Sequence, residues 1–212
     1  MKILFYGGTG QSKVMRPIAE KIGDLKVVLD DTNSIEPPFK DVDFYHGKLC
    51  YERWKRNTPD YKEYAFAITI GNPSAAARCM LYQKLSADGL TPLTLIHDTA
   101  YIEDSAKIGL GCQIHARSYV GTNVKIGNFC ILNTNSIVDH DCILNDGVEI
   151  APGATLCGNV EVGKDAWIGA NATILPRLEL GKSSIAGAGS VVTRNIPDKD
   201  IWVGNPARPL QK

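Results

Sequence analysis

The sequence has no surplus of charge of either sign and no long apolar run. Over 212 residues, 23 Lys and Arg balance 23 Asp and Glu, which leaves no basic field for nucleic acid. No stretch approaches the roughly 18 apolar residues of a membrane span, and the apolar run after Lys2 is too short for a signal peptide. We therefore expect a soluble, cytoplasmic protein with no nucleic-acid partner and no membrane span. Its six cysteines are expected to be free thiols.

A six-residue period dominates the C-terminal half of the chain. From Ile96 to Val192 every sixth residue is Ile, Val, Leu or Ala, and the fourth residue after most of them is small or medium in size. A helix turns through about 600° in six residues, so these side chains would not share one helical face. A parallel β-helix accommodates the period, because each hexad supplies one strand and three hexads close a coil. We interpret Cys112, Cys130 and Cys142, which occupy the small inward position, as buried structural side chains.

These repeats, together with the closing segments 185–193 and 202–207, resemble the hexapeptide-repeat acyltransferases. The resemblance covers essentially the whole chain. It implies a left-handed β-helix, an acyl-CoA donor, and a homotrimer with active sites between subunits. A single β-helix also exposes flat faces, which favours their burial against neighbouring subunits on physical grounds.

Residues 1–95 lack the six-residue period. Short apolar segments alternate there with helical patterns, which is typical of a small parallel α/β sheet of the Rossmann type. We therefore predict two domains, a Rossmann-like α/β domain over 1–95 and an all-β parallel β-helix with a C-terminal tail over 96–212. The predicted strands of the first domain are 2–6, 26–29, 64–70 and 92–96, and its predicted helices are 13–22 and 74–85.

A glycine-rich turn connects the first predicted strand to the first predicted helix. Glycines at this place let the backbone approach a phosphate, and the helix N-terminus offers N–H donors and a positive dipole end. The second strand ends in two aspartates, which can bond ribose hydroxyls or a base edge. A domain of this size is half of a dinucleotide-binding sheet, so we expect one nucleotide; a turn that serves only chain reversal is the alternative. The predicted substrate-binding residues of this domain are Gly7, Gly8, Gly10, Gln11, Asp30 and Asp31.

The glycine turn and the Asp-Asp pair, joined to hexapeptide repeats, resemble the sialic-acid O-acetyltransferase-like subgroup. That subgroup includes nucleotide-sugar N-acetyltransferases. The resemblance implies that the first domain binds a nucleotide sugar and that the β-helix transfers acetyl from acetyl-CoA, the co-substrate. The implied acceptor is the C4 amine of a nucleotide-linked 4-amino-4,6-dideoxyhexose. The turn of the subgroup commonly contains a histidine where this chain has Gln11.

Acetyl transfer to an amine requires a base that collects the amine proton, and histidine suits this role near neutral pH. The segment from Asn133 to Cys142 resembles the subgroup's Asn-Thr-x-Ser-x-x-x-His-Glu motif. The resemblance implies His140 as general base, Asp141 as its orienting acid, and Asn133 as a contact to substrate or acetyl-CoA. Asp139 competes with Asp141, because adjacent residues of an extended strand point to opposite faces unless the chain bends. For Asn133, a hydrogen bond within its own turn is the alternative.

Three small residues are predicted to border acetyl-CoA. Gly158, within Cys-Gly-Asn-Val, matches the family's Ala-Gly-Asn-Val, and its backbone N–H is the candidate for stabilising the thioester oxyanion. The resemblance places Ala170 and Gly187 beside the pantetheine slot between neighbouring β-helices. A purely conformational role is the alternative for the glycines.

Three other functions stay open at the level of the sequence. The same base could serve O-acetylation of a sialic acid or another sugar hydroxyl. A non-catalytic β-helix scaffold would lack acetyl-CoA binding. A zinc hydrase of the gamma-carbonic-anhydrase type would use His97, His115 and His140, but their spacing does not resemble that family's close histidine pair, so we expect no metal. His97 and His115 are expected to stack on adjacent coils as a solvated pair.

Overall fold

The computed structural model describes residues 1–71 and 75–210. The chain divides into two compact units, Met1–Leu95 and Ile96–Lys212. The first unit is a mixed α/β structure, and the second is a stack of β-coils. Within the described ranges, no helix has both the length and the apolar composition that crossing a bilayer requires.

The first unit is built on a five-stranded parallel sheet. Its elements in chain order are β1 (Lys2–Tyr6), α1 (Gly10–Ala19), β2 (Asp24–Asp30), β3 (Asp43–His46), α2 (Cys50–Asn57), a 3₁₀ helix (Tyr61–Glu63), β4 (Tyr64–Ile68), α3 (Ala75–Ala87) and β5 (Thr91–Pro92). The strand order is β3-β2-β1-β4-β5. Because β1 is central and β2 and β4 flank it, the turns after these three strands meet at one edge of the sheet.

Both faces of this sheet are covered by helices. In β1, Ile3 and Phe5 join one apolar cluster with α1, whereas Leu4 and Tyr6 join a second cluster with α2 and α3. This alternation follows from the two-residue period of a strand. A parallel sheet buried on both faces requires continuous apolar strands, which explains the run Ile-Leu-Phe-Tyr in β1.

The elements predicted for the first unit need three corrections. The first predicted helix, 13–22, begins and ends three residues too late, since α1 spans Gly10–Ala19. The prediction lacks β3 and α2, because the segment from 41 to 57 is polar; α2 is stabilised by burying Cys50, Tyr51 and Trp54. The predicted strand 92–96 is wrong, since Thr91–Pro92 and Leu95–Ile96 belong to different sheets. Proline has no N–H to donate, which suits the edge position of β5. The predicted start of the third helix, Pro73 and Ser74, lies outside the described residues.

The second unit consists of two-residue strands that recur every six residues. They are β6 (Leu95–Ile96), β7 (Tyr101–Ile102), β8 (Lys107–Ile108), β9 (Gln113–Ile114), β10 (Tyr119–Val120), β11 (Lys125–Ile126), β12 (Ile131–Leu132), β13 (Ile137–Val138), β14 (Ile143–Leu144), β15 (Glu149–Ile150), β16 (Thr155–Leu156), β17 (Glu161–Val162), β18 (Trp167–Ile168), β19 (Thr173–Ile174), β20 (Glu179–Leu180), β21 (Ile185–Ala186) and β22 (Val191–Val192). The tail adds β23 (Ile201–Val203) and β24 (Arg208–Pro209).

These strands form three sheets, which we call faces. The first face contains β6, β9, β12, β15, β18, β21, β23 and β24; the second contains β7, β10, β13, β16, β19 and β22; the third contains β8, β11, β14, β17 and β20. From β7 to β22, each strand residue pairs in parallel with the one a full coil later, as Val120 does with Val138, whereas β24 is antiparallel to β23. The parallel sheets and hexapeptide repeats fit a left-handed β-helix. The first corner is the turn that leads from the first face to the second. The second corner leads from the second face to the third, and the third corner leads from the third face back to the first.

The interior of the coils is filled as the hexad pattern predicts. The second residue of each strand is buried from Ile114 to Val192, and Cys112, Cys130 and Cys142 are buried, free thiols. The first coil differs, because Ile96 is 40% exposed where no coil precedes it.

From Gly111 to Gly189, each corner bends through one residue in the left-handed backbone conformation. Such residues recur every six positions and include Asn123, Asn135, Asp141 and Asn159, with φ between 59° and 60°. Asn, Asp and Gly adopt this conformation at the lowest cost among the residue types. Their recurrence is a sequence signal for the corners that the aliphatic pattern does not contain.

Candidate active site

His140 and Asp141 form a hydrogen-bonded pair at the second corner. Nδ1 of His140 lies 2.8 Å from Oδ2 of Asp141. The left-handed backbone of Asp141 bends the chain there, so two adjacent side chains meet that would diverge in an extended strand. The hydrogen bond with His140, and then one from Asn123, lowers the pKa of the Asp141 carboxyl. With Nδ1 directed at a carboxylate, Nε2 is the ring nitrogen that can accept a proton.

The neighbouring carboxylate of Asp139 has a different partner. Its Oδ1 accepts a hydrogen bond of 2.8 Å from the backbone N–H of His140. Asp139 therefore fixes the backbone at the start of the corner, whereas Asp141 contacts the ring. Of the two acids considered from the sequence, Asp141 has the geometry of the orienting residue.

An open pocket of about 620 Å³ lies beside the His140 ring. Gly158 on the following coil lies against the ring, since a Cβ built on this residue would lie 2.3 Å from Nε2 of His140. The missing side chain at this position is what leaves room for the imidazole. Cys157, Asn159 and Arg177 are further lining residues of the pocket.

If His140 is the general base that the resemblance implies, Gly158→Ala should lower kcat about 100-fold, because the new methyl group displaces the imidazole and a shift of about 1 Å at a catalytic group has an effect of this size. The backbone of Gly158 does not have a positive φ, so alanine is not strained there and the melting temperature should change little. The measurement is steady-state acetyl transfer. In combination with His140→Ala, the glycine substitution should have no further effect; an unchanged kcat for the single variant would show that the contact is unimportant.

The other residues predicted to contact acetyl-CoA lie at the first corner. The carbonyl of Ala170 accepts a hydrogen bond of 2.8 Å from Gly189, and the N–H of Gly187 donates to Trp202 over 2.7 Å. A Cβ on Gly187 would lie 2.7 Å from Val203 Cγ1, so a side chain there would have to displace this methyl group. Neither Ala170 nor Gly187 is among the described residues that line the His140 pocket.

Asn133 also lies at the first corner. Its Nδ2 donates a hydrogen bond of 3.1 Å to the carbonyl of Ile150 and lies 3.4 Å from Oε1 of Glu149. The amide is therefore bonded to the next coil and not within its own turn, which was the alternative considered from the sequence. A single chain does not bring Asn133 into the pocket beside His140.

A second pocket, of about 340 Å³, lies in the first unit at the carboxyl ends of β1 and β2. Gly7, Asp30 and Asp31 line it, together with Thr9 and Thr32. Gly7 is required by its conformation, with φ of 119° and a position at which a Cβ would lie 2.4 Å from the carbonyl oxygen of Thr69. The remaining predicted residues are adjacent, with Gly8 in the turn and Gly10 and Gln11 in the first turn of α1.

The two aspartates of this pocket have different roles. Both oxygens of Asp30 accept backbone hydrogen bonds, from Gly8 over 2.7 Å and from Thr32 over 2.9 Å. Asp30 thus fixes the glycine turn. Asp31 is exposed, and the Tyr6 hydroxyl donates to its Oδ1 over 2.8 Å. Burial, and then this bond, raises the pKa of Tyr6, so the phenol keeps its proton and remains a donor. Tyr6 was not predicted, because its side-chain contact depends on how β1 and β2 pair.

The helix that follows the turn presents a suitable N-terminus for an anion. The N-cap residue Thr9 makes no side-chain capping bond, and the first turn of α1 has no acidic residue. The Ser12 hydroxyl donates to the carbonyl of Thr9 instead. Backbone N–H groups and the helix dipole at such an end favour a phosphate.

His97 and His115 lie together at the first corner, away from His140. His115 is buried, so the expectation of a solvated pair is wrong for this member, whereas His97 is partly exposed and its Nδ1 accepts from the Thr99 N–H over 3.1 Å. Desolvation, and then the neighbouring His97, lowers the pKa of His115 to about 4. Across residues 1–71 and 75–210, no three His, Cys, Asp or Glu side chains are arranged to hold a metal ion.

The buried His115 is expected to make stability depend on pH. Its pKa is about 4 when folded and 6.5 when unfolded, so the unfolded chain binds the extra proton between these values. Stability should therefore fall as the pH decreases from 6.5 to 4, by roughly 2–3 kcal/mol from this group. Urea unfolding at pH 7 and pH 4.5 measures the loss. The His115→Gln variant should lose less stability between pH 7 and pH 4.5. Equal losses in the variant and the wild-type protein would contradict the lowered pKa of His115.

Comparison with known proteins identifies relatives of the chain. A model of the bacterial transferase hexapeptide family (six repeats) matches residues 123–158. A GDP-perosamine N-acetyltransferase of Escherichia coli O157:H7 is 35% identical over 146 residues, which are 69% of this chain and 57% of that protein. The chain thus spans little more than half the length of this curated relative.

Two solved structures match nearly the whole chain. PerB from Caulobacter crescentus, in complex with CoA and GDP-perosamine, has a TM-score of 0.87 and 27% identity, over 100% of this chain and 98% of that one. The acetyltransferase domain of PglB from Neisseria gonorrhoeae has a TM-score of 0.86 and 30% identity, over 99% of each chain. The same domain has been solved with acetyl coenzyme A. The chain therefore belongs to the hexapeptide-repeat transferase family and is a homologue of the GDP-perosamine N-acetyltransferases and of the PglB acetyltransferase domain.

Proposed function

We propose that this protein is an acetyl-CoA-dependent N-acetyltransferase that acts on the C4 amine of a nucleotide-linked 4-amino-4,6-dideoxyhexose. The observation that carries the proposal is the His140 ring, which is held by Asp141 through Nδ1 and has Nε2 at an open pocket. Homology to GDP-perosamine N-acetyltransferases supports the acceptor class and favours GDP as the nucleotide.

In this proposal His140 is the general base. The amine nitrogen attacks the thioester carbonyl while Nε2 takes its proton, and Asp141 stabilises the imidazolium that forms. Collapse of the intermediate breaks the C–S bond, and the sulfur leaves with the proton returned by the imidazolium. The Gly158 N–H is the donor to the oxyanion in this proposal, and the contact of Gly158 with the His140 ring supports this role, since a Cβ built on the glycine would lie 2.3 Å from Nε2.

Direct attack by the amine fits the cysteines near the site. Burial raises the pKa of the Cys142 thiol to about 11 and also raises that of Cys157. Neither residue is a thiolate near neutral pH, so neither is an activated nucleophile for an acetyl-enzyme.

The first unit, residues 1–95, is the nucleotide-sugar-binding domain in this proposal, and residues 96–212 are the acetyltransferase domain. The pocket beside the glycine turn would hold the nucleotide, with a phosphate at the N-terminus of α1 and Asp31 as an acceptor for the base or ribose. The Tyr6 hydroxyl bonds the Asp31 carboxylate and fixes its orientation, which supports its role as a hydrogen-bond acceptor for the nucleotide.

We further propose a homotrimer in which a neighbouring subunit completes the site. Asn133, Ala170 and Gly187 lie at a different corner from His140, so they can contribute to its pocket only from another chain. Outward side chains of the second face support association: Tyr101 stacks on Tyr119 with ring centres 5.7 Å apart, and both are accessible. Exposed apolar surface of this kind marks interaction sites.

The proposed reaction is tested with matched pairs of acceptors that differ in one atom group. GDP-, UDP- and dTDP-linked 4-amino-4,6-dideoxyhexoses are compared with their 4-hydroxy counterparts, and thiol release from acetyl-CoA is recorded. We expect turnover with the 4-amino sugars and, among the three nucleotides, with the GDP-linked one. Turnover only with the 4-hydroxy sugars would indicate an O-acetyltransferase. A protein that does not bind acetyl-CoA would favour the non-catalytic scaffold.

A further inference from the structure

A chain of hydrogen bonds runs along the second corner and ends at His140. Residues Ser105, Asn123 and Asp141 occupy the same position on three successive coils. The backbone N–H of Asn123 donates to Oγ of Ser105 over 2.9 Å, and Nδ2 of Asn123 donates to Oδ1 of Asp141 over 3.2 Å. The other oxygen of Asp141, Oδ2, contacts Nδ1 of His140. Both carboxylate oxygens of Asp141 are thus occupied, each by a different neighbour.

The backbone alone does not account for this contact. Asn123 needs a residue that adopts a left-handed conformation, and Asn135 at the first corner meets the same need with the same φ of 59°. The hydrogen bond to Asp141 is an additional property of the Asn123 amide. Asn135 therefore provides a matched reference for what conformation requires by itself.

The contact matters because Asp141 is an exposed carboxylate. Half of its side-chain surface is accessible, at 50%, and an exposed side chain held through one oxygen can rotate away from its partner. A second hydrogen bond to the other oxygen fixes the plane of the carboxylate.

We infer that Asn123 is a positioning residue, whose amide holds Oδ1 of Asp141 so that Oδ2 stays directed at Nδ1 of His140. This inference rests on the proposed function for its effect on turnover. Its geometric part, the bond between the amide and the carboxylate, can be tested without the reaction.

The first test is the titration of the Asp141 carboxyl by carbon-detected NMR. Asn123→Gly keeps the backbone conformation but removes the donor, so the midpoint of the Asp141 titration should move to higher pH; Asn135→Gly should leave it in place. His140 is present in both variants. The other charged groups that share pockets with Asp141 are also unchanged: Lys107, Lys125, Asp139, Glu161, Arg177 and Glu179.

The second test is kinetic. Asn123→Gly should lower kcat about fivefold, the effect of losing one hydrogen bond to an exposed charged group, with both KM values within about twofold. In an Asp141→Ala background the same substitution should have no effect, because the residue it positions is absent. Asn135→Gly should retain the wild-type kcat.

The outcomes separate this inference from the proposed function. An unmoved Asp141 titration, or an equal loss of kcat with and without Asp141, would overturn the role of Asn123. A wild-type protein that transfers no acetyl group would refute the proposed function, and the titration would still decide whether Asn123 holds Asp141.

Discussion

His140→Ala is expected to lower kcat for the nucleotide amino sugar by about 10²–10⁴-fold, the contribution of general base catalysis. The amine cannot form a neutral amide unless its proton leaves, and Nε2 of His140 is the acceptor in the proposed reaction. The KM values should change little, because the imidazole acts on the proton in the transition state. Thiol release from acetyl-CoA under saturating conditions measures the effect.

The control for this substitution is His97→Ala. His97 is partly exposed and lies at the first corner, and its removal should leave kcat unchanged. The side chain of His140 is 58% exposed, so His140→Ala should also retain the wild-type melting temperature. A variant that keeps full activity would remove His140 from the mechanism.

Leu144→Ala is expected to reduce the free energy of unfolding of the β-helix by about 3 kcal/mol. Leu144 is the inward residue of β14 and is 1% exposed, and its side chain packs among the stacked aliphatic residues of the neighbouring coils. Its truncation leaves a cavity that the hydrogen-bonded coils above and below cannot close. Denaturant unfolding, followed by far-UV circular dichroism, provides the measurement.

The adjacent residue of the same strand is the matched control. Ile143 points outward and is 36% exposed, so Ile143→Ala should cost less than about 1 kcal/mol. The comparison isolates the effect of pointing inward or outward, because the two residues lie in the same strand and have similar side-chain volumes. Equal losses from the two substitutions would contradict the assignment of inward and outward positions.

The β-helix could be predicted because one short-range rule repeats along the chain. Each hexad carries its own inward aliphatic residue, so the pattern needs no long-range contact to be visible. The family resemblance was likewise confirmed by relatives that match nearly the whole chain. The first unit was harder, because β3 and α2 are short and polar and depend on packing against the sheet.

The contact between His140 and Asp141 could be predicted from the sequence, whereas other contacts of the candidate site could not. The motif around His140 identified both members of the pair, and the left-handed residue at Asp141 shows why they meet. Tyr6 beside Asp31 and Asn123 beside Asp141 were missed, since each contact joins residues that are distant in sequence. The pairing of Asn123 with Asp141 could be found in the sequence only by aligning successive corners at the length of one coil.

The division of predicted residues between two corners has a direct consequence for assembly. His140 and Gly158 lie at the second corner, whereas Asn133, Ala170 and Gly187 lie at the first. If all five serve one reaction, the site must form between chains. Sedimentation analysis should therefore show an assembly of chains, which is a trimer in the proposed function, and a monomer with full activity would assign the first-corner residues a purely structural role.

The central claim is tested most directly by mass spectrometry of the product formed from acetyl-CoA and GDP-perosamine by the wild-type protein. The account predicts one acetyl group on the C4 nitrogen for each equivalent of CoA thiol released. A folded protein that binds acetyl-CoA, yet acetylates none of the GDP-, UDP- or dTDP-linked 4-amino sugars, would contradict it.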